Sequence, residues 1–466
     1  MLRLHEMKLP ILARISSSSP PFWGLFGSVV ILFLMGGSSR ADVQSLALLN
    51  PIMIGCCGSA LLMLERRHLQ ENRWFVASFL CIFLLVLAYL VPMAQWVVGY
   101  SSGGSNLAAI STAINANSAH YTLATTPEIG WQSLYFLFAP LAIGLFAIQL
   151  PRDDLRLAIP LLIGIGTVSG VLGVIQLAGN ANGSLYFYQI TNNGSAVGLF
   201  ANRNHSAVFL ACLFPLLALF AARSQTTKPS GKNLKQVVSV AISILLVPLI
   251  LVTGSRSGLL SAIMGLIGGV LLYRSCAPST VGSKAGISSK ALVTALGLLC
   301  LSLATIYFSR AEAVERIFAD AGLVNDRSEF WSASFPLFGQ YLPLGFGPGG
   351  FVPAFYNIEP STMLGAPYLN RLHNDWLETA LTFGVPGILF LASGSIYYFY
   401  RSYILWVQMD GTRSAVAIGR MASVVIAILG VASLSDYPLR TPAMAGFAAL
   451  VLFWFVYARR DSRVER

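Results

Sequence analysis

This chain contains few charged residues. Only 11% of its 466 residues are charged, 55% are hydrophobic, and the mean hydropathy is +0.69, whereas a soluble globular domain carries about 25% charged residues. Such a composition excludes an ordinary soluble fold. It predicts an all-α polytopic membrane protein.

Cysteine and clustered acidic residues are scarce as well. The cysteines are Cys56, Cys57, Cys81, Cys212, Cys276 and Cys300, all in or beside apolar runs. Their spacing fits neither a disulfide framework nor a zinc site, so we expect small core residues. The adjacent pair Asp153 and Asp154 is flanked by Arg152 and Arg156, which is typical of a solvated charge cluster. We therefore expect chemistry without a metal ion or other cofactor.

Apolar segments of membrane-spanning length recur along the chain. About twelve are expected, at 21–37, 43–64, 74–98, 131–150, 158–178, 204–222, 237–253, 257–273, 290–309, 376–400, 416–434 and 443–458. The first is expected to stay in the protein, because residues 38–41 make a poor signal-peptide cleavage site. Domains are expected at 1–309 (transmembrane helices 1–9 with short loops), 310–375 (a large outer loop) and 376–466 (transmembrane helices 10–12 and a cytoplasmic tail).

The distribution of the basic residues predicts the topology. With both termini cytoplasmic, every lysine and most arginines lie in the inner segments, which agrees with the positive-inside rule. The net charge of +11 is thereby explained without nucleic acid as a partner. The inner set includes Arg401, Arg413 and Arg420, assigned to one inner loop.

The outer segments hold arginine and no lysine. Their eight arginines are Arg40, Arg203, Arg256, Arg310, Arg316, Arg327, Arg371 and Arg440. A planar guanidinium pairs with two phosphate oxygens at once, which lysine cannot do, so this surface favours a phosphate site. Arg40, Arg310 and Arg316 are better explained as interfacial anchors or loop ion pairs.

Two outer segments need a structural interpretation. The loop 179–203 carries asparagines around Tyr186 and Tyr188, which suits either sugar binding or a plain turn-rich loop. The large loop 310–375 is expected to hold one or two surface helices within 311–338. Its glycines at 345, 347 and 350 match GxGxxG, but no strand–turn–helix unit surrounds them, so a turn with close backbone contact is favoured.

Arg256 lies in the tight turn 253–258, where a spanning helix begins. Free backbone N–H groups and the positive end of the helix dipole would add to its charge, which predicts an anion site. Arg203 and His205 stand at another outer helix start, where His205 is a candidate supporting residue. Arg327 lies in the large loop. A snorkelling anchor is the alternative for Arg256.

His373 precedes a further outer helix start. Histidine is the side chain best suited to accept a proton near neutral pH, so we predict that His373 is a catalytic base. Asn374, Asp375 and Glu378 follow it as supporting residues. The two carboxylates would either orient the imidazole or cap the helix.

In the last outer turn, Asp436 and Arg440 are expected to pair with each other. Arg440 is a further candidate supporting residue.

Taken together, these segments resemble the O-antigen ligase family, whose members act on undecaprenyl-linked glycans in the bacterial inner membrane. The resemblance rests on the Gly-Ser-Arg turn at 254–256, Arg-x-x-x-Trp at 327–331, Gly-x-Gly-Pro-Gly-x-Phe at 345–351, His-Asn-Asp-x-Leu-Glu at 373–378 and Asp-Tyr-Pro-Leu-Arg at 436–440. It covers the multi-helix layout and the long late outer loop. It implies a GT-C-like membrane glycosyltransferase that is metal-independent and inverting.

The resemblance also implies roles for particular residues. His373 would activate the acceptor hydroxyl, Arg256 and Arg327 would bind the donor diphosphate, and Arg203 matches less closely. The expected partners are membrane lipids, an undecaprenyl-diphosphate-linked glycan donor, and a lipid A-core or growing polysaccharide acceptor. The active site would face the periplasm.

Two other functions stay open. A polymerase of O-antigen or exopolysaccharide repeats shares the same motifs. A transporter or flippase for lipid-linked oligosaccharides is less favoured, because the spans are nearly free of charge and show no internal repeat.

Overall fold

The computed structural model describes residues 19–93, 122–222, 229–276, 329–364 and 369–458, and the regular elements of these residues are all helices. The α-helices are α1 Pro20–Met35, α2 Leu46–Leu62, α3 Arg66–Glu71, α4 Arg73–Leu90, α5 Pro127–Phe136, α6 Phe138–Ala147, α7 Arg152–Leu155, α8 Ala158–Ala178, α9 Arg203–Ala222, α10 Pro229–Val252, α11 Arg256–Ser275, α12 Pro336–Tyr341, α13 Phe351–Tyr356, α14 Asp375–Tyr403, α15 Ser414–Ala432 and α16 Pro442–Tyr457. A π-helix, Ile404–Gln408, continues α14. Single 3-10 turns lie at Ser361–Met363 and Pro438–Arg440.

A helical membrane protein is confirmed. Within the described ranges, 8 segments are long and apolar enough to cross a membrane: α4, α5 with α6, α7 with α8, α9, most of α10, α11, α14 with its π-helical end, and α15. Shorter apolar helices, α1, α2 and α16, occupy three more of the expected spans. The expected span 290–309 lies outside the described residues.

The lipid-facing side is visible in α14. Leu389, Ile396 and Phe399 on this helix are 63%, 71% and 70% exposed. An apolar helix that leaves side chains of this size uncovered is stable only where lipid covers them.

Helix α9 forms the centre of the bundle. Its side chains are buried on every face, from His205 to Ala221, as expected for a helix that is apolar all round. Helix α11 packs along it in the same direction, with Gly258 against Ala207 and Gly265 against the carbonyl oxygen of Ala211. Small residues allow this close approach, which brings the N-termini of α9 and α11 side by side.

The glycine-rich segment 345–350 forms the close backbone contact that the sequence favours. Gly345, Gly347 and Gly349 have φ of +76°, +78° and +85°, a region that costs glycine little. The amide of Gly347 donates to the carbonyl of Thr382 at 2.8 Å, so the segment is anchored to α14 near its kink at Gly384 (φ +57°).

The part of the outer loop that is described has a small core of its own. Phe346, Phe351, Phe355 and Leu372 are buried together with Leu381 of α14. Residues 310–328 of the expected loop domain, including most of the expected surface helices, lie outside the described residues.

Two of the arginines expected in an inner loop lie within helices instead and are buried. Arg401 lies within α14 and Arg420 within α15, and they are 1% and 5% exposed. Arg420 donates to the carbonyls of Leu405 and Met409, each at 2.7 Å, and so caps the π-helical end of α14. Backbone carbonyls, rather than water, solvate these two charges.

The expectation for the Asp153 charge cluster is confirmed, and that for the cysteines is confirmed only in part. Asp153 forms an exposed ion pair with Arg156 at 2.7 Å, as expected of a solvated charge cluster. Cys57 and Cys212 are buried, but Cys81 is exposed and is not a core residue.

Candidate active site

Several helix termini meet at one end of the bundle. The amide of Ala443, at the start of α16, donates to the carbonyl of Gly36, just after α1, at 2.9 Å. The amide of Asp375, at the start of α14, donates to the carbonyl of Ser433, just after α15, also at 2.9 Å. Because α9 and α11 begin at this same end, the candidate residues of distant segments come together here.

His373 stands immediately before α14 in an unusual backbone conformation. Its φ is +54°, and among the described residues other than glycine it alone has a left-handed φ. This conformation costs about 1 to 3 kcal/mol and persists only where surrounding contacts enforce it. Asn374 follows as the N-cap of α14 and accepts from the amide of Leu377 at 3.0 Å. The cap is therefore Asn374, so the alternative in which Asp375 or Glu378 caps the helix is wrong.

The imidazole of His373 faces a buried carboxylate. Its Nδ1 lies 3.4 Å from Oδ1 of Asp436, and its side chain is 24% exposed against 1% for Asp436. Within the ring, Nδ1 is the buried nitrogen. The carboxylate next to the imidazole of His373 is thus that of Asp436, and not that of Asp375 or Glu378, which the sequence offered.

Asp436 is held by several donors. Asn204 Nδ2 donates to its Oδ2 at 2.5 Å, and the amide of Tyr437 donates to its Oδ1 at 2.9 Å. Nε2 of the fully buried His205 lies 3.7 Å from the same Oδ1. Burial raises the pKa of the Asp436 carboxyl, but His205 and His373 lower it by more, so the pKa lies well below its ordinary value.

The ring of Tyr437 lies between the two histidines. Its centroid is 4.8 Å from that of His373 and 5.2 Å from that of His205. His205 therefore lies in the same cluster as His373.

The sequence led us to expect that Arg440 pairs with Asp436, but it does not. Its Nε lies 3.0 Å from Oδ1 of Asp375 and its Nη2 lies 3.6 Å from Oε1 of Glu378. Burial lowers the pKa of Arg440, but Glu378 and Asp375 raise it by more, so the guanidinium stays charged. Arg371 reaches the same Oε1 at 3.0 Å.

This ion network fixes the segment before His373. The other oxygen of Glu378 accepts from the amide of Leu372 at 3.0 Å, and Trp331 Nε1 donates to the carbonyl of Leu372 at 3.1 Å. Leu372 is thereby held on both sides. A segment held at Leu372 can enforce the costly φ of the next residue, which aims the imidazole at Asp436.

The structure places two of the three arginines that were predicted to bind phosphate. Arg203 begins α9, next to Asn204, which contacts Asp436. Arg256 begins α11, where Ser255 caps the helix by accepting from the amide of Gly258 at 3.0 Å. Both are half-buried, and the parallel packing of α9 and α11 puts them on the same side of the bundle as His373. Arg327 lies outside the described residues.

Sequence reasoning missed the central role of Asp436, together with Asn204 and Tyr437. The Asp-Tyr-Pro-Leu-Arg segment is one of the motifs of the sequence. Nothing in the spacing of its residues shows that Asp436 faces α9 while Arg440 faces α14. The contact between Asn204 and Asp436 joins residues 232 positions apart.

The loop 179–203 uses its tyrosines internally. The hydroxyl of Tyr186 donates to the carbonyl of Ser195 at 3.1 Å, and that of Tyr188 accepts from the amide of Gly37 at 2.7 Å. These hydroxyls support the turn-rich loop rather than a sugar site.

A comparison with known protein families confirms the expected kinship. Residues 240–392 match the family described as O-antigen ligase; no curated protein matches the chain. The matched stretch runs from α10 into α14 and includes Arg256, His373 and Glu378. The stretch that carries both the Arg256 turn and the His373 segment is thus the part of the chain that is similar to the O-antigen ligase family.

Proposed function

We propose that this protein transfers a glycan from undecaprenyl diphosphate to an acceptor hydroxyl, at the outer face of a bacterial inner membrane. The family supports an activity of the ligase or polymerase type and lipid-linked polysaccharide substrates. The observation that carries the finer proposal is the pairing of a partly exposed imidazole, His373, with a buried carboxylate, Asp436.

In the proposed reaction His373 is the general base. Nε2 takes the proton of the acceptor hydroxyl as the acceptor oxygen attacks the anomeric carbon of the donor sugar. The bond between that carbon and the diphosphate oxygen breaks, and undecaprenyl diphosphate leaves with the electron pair. Attack opposite the leaving group inverts the anomeric centre. Asp436 stabilises the imidazolium that forms at His373.

Charge that gathers on the leaving diphosphate is proposed to be met by arginines and helix N-termini. Arg203 and Arg256 stand at the first residues of α9 and α11, where unpaired backbone N–H groups favour anions. Arg327 is proposed to join them from the outer loop. Such donors need no metal ion to stabilise a diphosphate leaving group.

The ion network of Arg440, Asp375, Glu378 and Arg371 has a different proposed role. Two guanidiniums and two carboxylates balance in charge, so the network attracts neither donor nor acceptor strongly. It positions the backbone at Leu372 and therefore the imidazole of His373. Its loss should displace the base and not remove it.

The test is the variant His373→Asn. Asparagine tolerates a positive φ better than alanine does, so this variant removes the base with little backbone strain. Purified protein receives undecaprenyl-diphosphate glycan together with lipid A-core, or with no second acceptor. We expect the variant to lose more than 99% of glycan transfer, within the range of about 10²- to 10⁴-fold for a general base.

A matched control is His68→Asn, in the short helix α3 far from the site, which should transfer glycan at the wild-type rate. Transfer by His373→Asn at more than a third of the wild-type rate would refute the assignment of the base. The wild-type product decides between the two activities of the family: glycan on lipid A-core marks a ligase, and a lengthened glycan formed without it marks a polymerase.

A further inference from the structure

A second basic site lies at the opposite end of the helix bundle. A small, half-open cleft is lined by Arg152, Leu155, Arg156, Ala415, Ile418, Trp454, Tyr457 and Ala458. These residues come from the short helix α7, the start of α15 and the end of α16. The proposed transfer reaction uses none of them.

The cleft lies where phospholipid headgroups would lie. Helix α16 starts beside Arg440 and ends at Tyr457, and its 16 residues span about 24 Å at 1.5 Å per residue. Helix α15 runs the other way, so Ala415 lies at the cleft and Ala432 near the histidines. The cleft is therefore at the far membrane boundary, which is the cytoplasmic one in the proposed orientation.

The lining combines two guanidiniums with apolar walls. Arg152 is held in place by Tyr457, with Nε 3.2 Å from the tyrosine oxygen and the guanidinium carbon 5.2 Å from the ring centroid. Arg156 is anchored by its ion pair with Asp153. Because α15 begins and α16 ends here, their opposed dipoles offset each other. The lining holds these two guanidiniums and no carboxylate, since Asp153 and Asp154 of α7 are not among the lining residues.

Trp454 adds a polar group to the apolar wall. It is 2% exposed, and its indole N–H has no hydrogen-bond acceptor in the part of the chain that the structure describes. A phosphate or glycerol ester oxygen seated in the cleft would supply one.

From this geometry we infer that the cleft binds the phosphate headgroup of an anionic phospholipid from that leaflet, with Arg152 and Arg156 as its ligands. Pockets that join basic side chains to apolar helix surface at a membrane boundary suit such headgroups. A zwitterionic lipid carries its own cation next to the phosphate, so it would bind these arginines less tightly. This site is independent of the transfer reaction at the other end.

The test compares lipid retention by native mass spectrometry. Wild-type protein and the double variant Arg152→Gln with Arg156→Gln are extracted from vesicles of equal parts phosphatidylglycerol and phosphatidylcholine with matched acyl chains. We expect the wild type to retain phosphatidylglycerol in preference, and the double variant to lose that preference at least tenfold. A tenfold change corresponds to about 1.4 kcal/mol.

The matched control is Arg66→Gln with Arg67→Gln. These arginines are exposed, lie just after α2, whose Ala60 carbonyl accepts from Gln149 at 2.9 Å, and so sit at the same end of the bundle outside the cleft. We expect this pair to keep the wild-type preference. If both double variants lose it equally, the effect is diffuse surface charge and the inference fails.

Two further outcomes would also overturn the inference. The first is an unchanged lipid preference in the double variant of Arg152 and Arg156. The second is displacement of the retained lipid by millimolar inorganic phosphate alone, which would mark an anion site without lipid selectivity. If the double variant folds poorly, Trp454→Phe serves instead, because it keeps the packing and removes only the indole N–H. This variant should weaken the retention of phosphatidylglycerol severalfold. Unaltered retention of the lipid would count against the site.

Discussion

Replacing Asp436 by asparagine should slow glycan transfer while the fold is kept. Asparagine has nearly the same shape, so it can still accept from the amide of Tyr437, which lies 2.9 Å from Oδ1. It cannot carry the negative charge that faces His373 at 3.4 Å. The variant therefore removes the negative charge and keeps the shape, while Asn204, which donates to Oδ2, has to turn its amide oxygen toward the new NH2 group.

The size of the effect follows from that distance. At 3.4 Å and an effective dielectric constant of about 20, the attraction between a carboxylate and an imidazolium is about 5 kcal/mol. Solvent at the partly exposed imidazole reduces this value, so we expect a loss of about 3 to 4 kcal/mol, or 10²- to 10³-fold in kcat. The KM for the donor should change only a few fold, because the imidazolium forms in the transition state.

The assay is the initial rate of transfer by purified protein over a range of donor concentrations. The control Asp153→Asn removes an exposed carboxylate at the opposite end of the bundle and should leave kcat within about twofold, as a surface ion pair contributes little. A kcat for Asp436→Asn within threefold of wild type, measured beside an inactive His373→Asn, would refute the orienting role of Asp436.

Three more results are expected. Arg256→Lys should lower kcat/KM about 10- to 100-fold, because one ammonium cannot pair with two phosphate oxygens as a guanidinium does. The control Arg40→Lys changes an arginine that is paired with Asp42 and should have little effect; equal losses in the two variants would contradict a specific phosphate role for Arg256. Gly347→Ala should destabilise the protein by about 2 kcal/mol in thermal unfolding, because the positive φ at this position disfavours a side chain and a Cβ there would lie 2.5 Å from the Ala124 Cα. Gly339→Ala should not destabilise the protein, because there is open space around a Cβ at that position. The pKa of Asp436 is depressed in the fold, so its stabilising contribution is fully present above the ordinary carboxyl pKa of about 4 and is lost as the pH falls further. Between pH 5 and 3 the melting temperature of the wild type should therefore fall more than that of Asp436→Asn. Parallel curves of melting temperature against pH would contradict the pKa shift.

The sequence by itself determined the class of the protein. Scarce charge and long apolar runs require helices buried in lipid, because a bilayer leaves backbone groups no partner but each other. Helices lie at the expected spans throughout the described residues. Local motifs also marked His373, Arg256 and Arg203 as candidates, since each stands next to the start of a spanning helix and that position can be read from the order of residues.

Only the tertiary structure decided which charged groups are partners. From spacing alone, Asp375 and Glu378 are the acids nearest His373, and Arg440 is the cation nearest Asp436. In the fold these choices are exchanged: Asp436 turns to the histidines, and Arg440 turns to Asp375 at 3.0 Å. The reason is that ion pairs form between side chains that meet across helices, and the order of residues within one turn does not record which helix lies opposite.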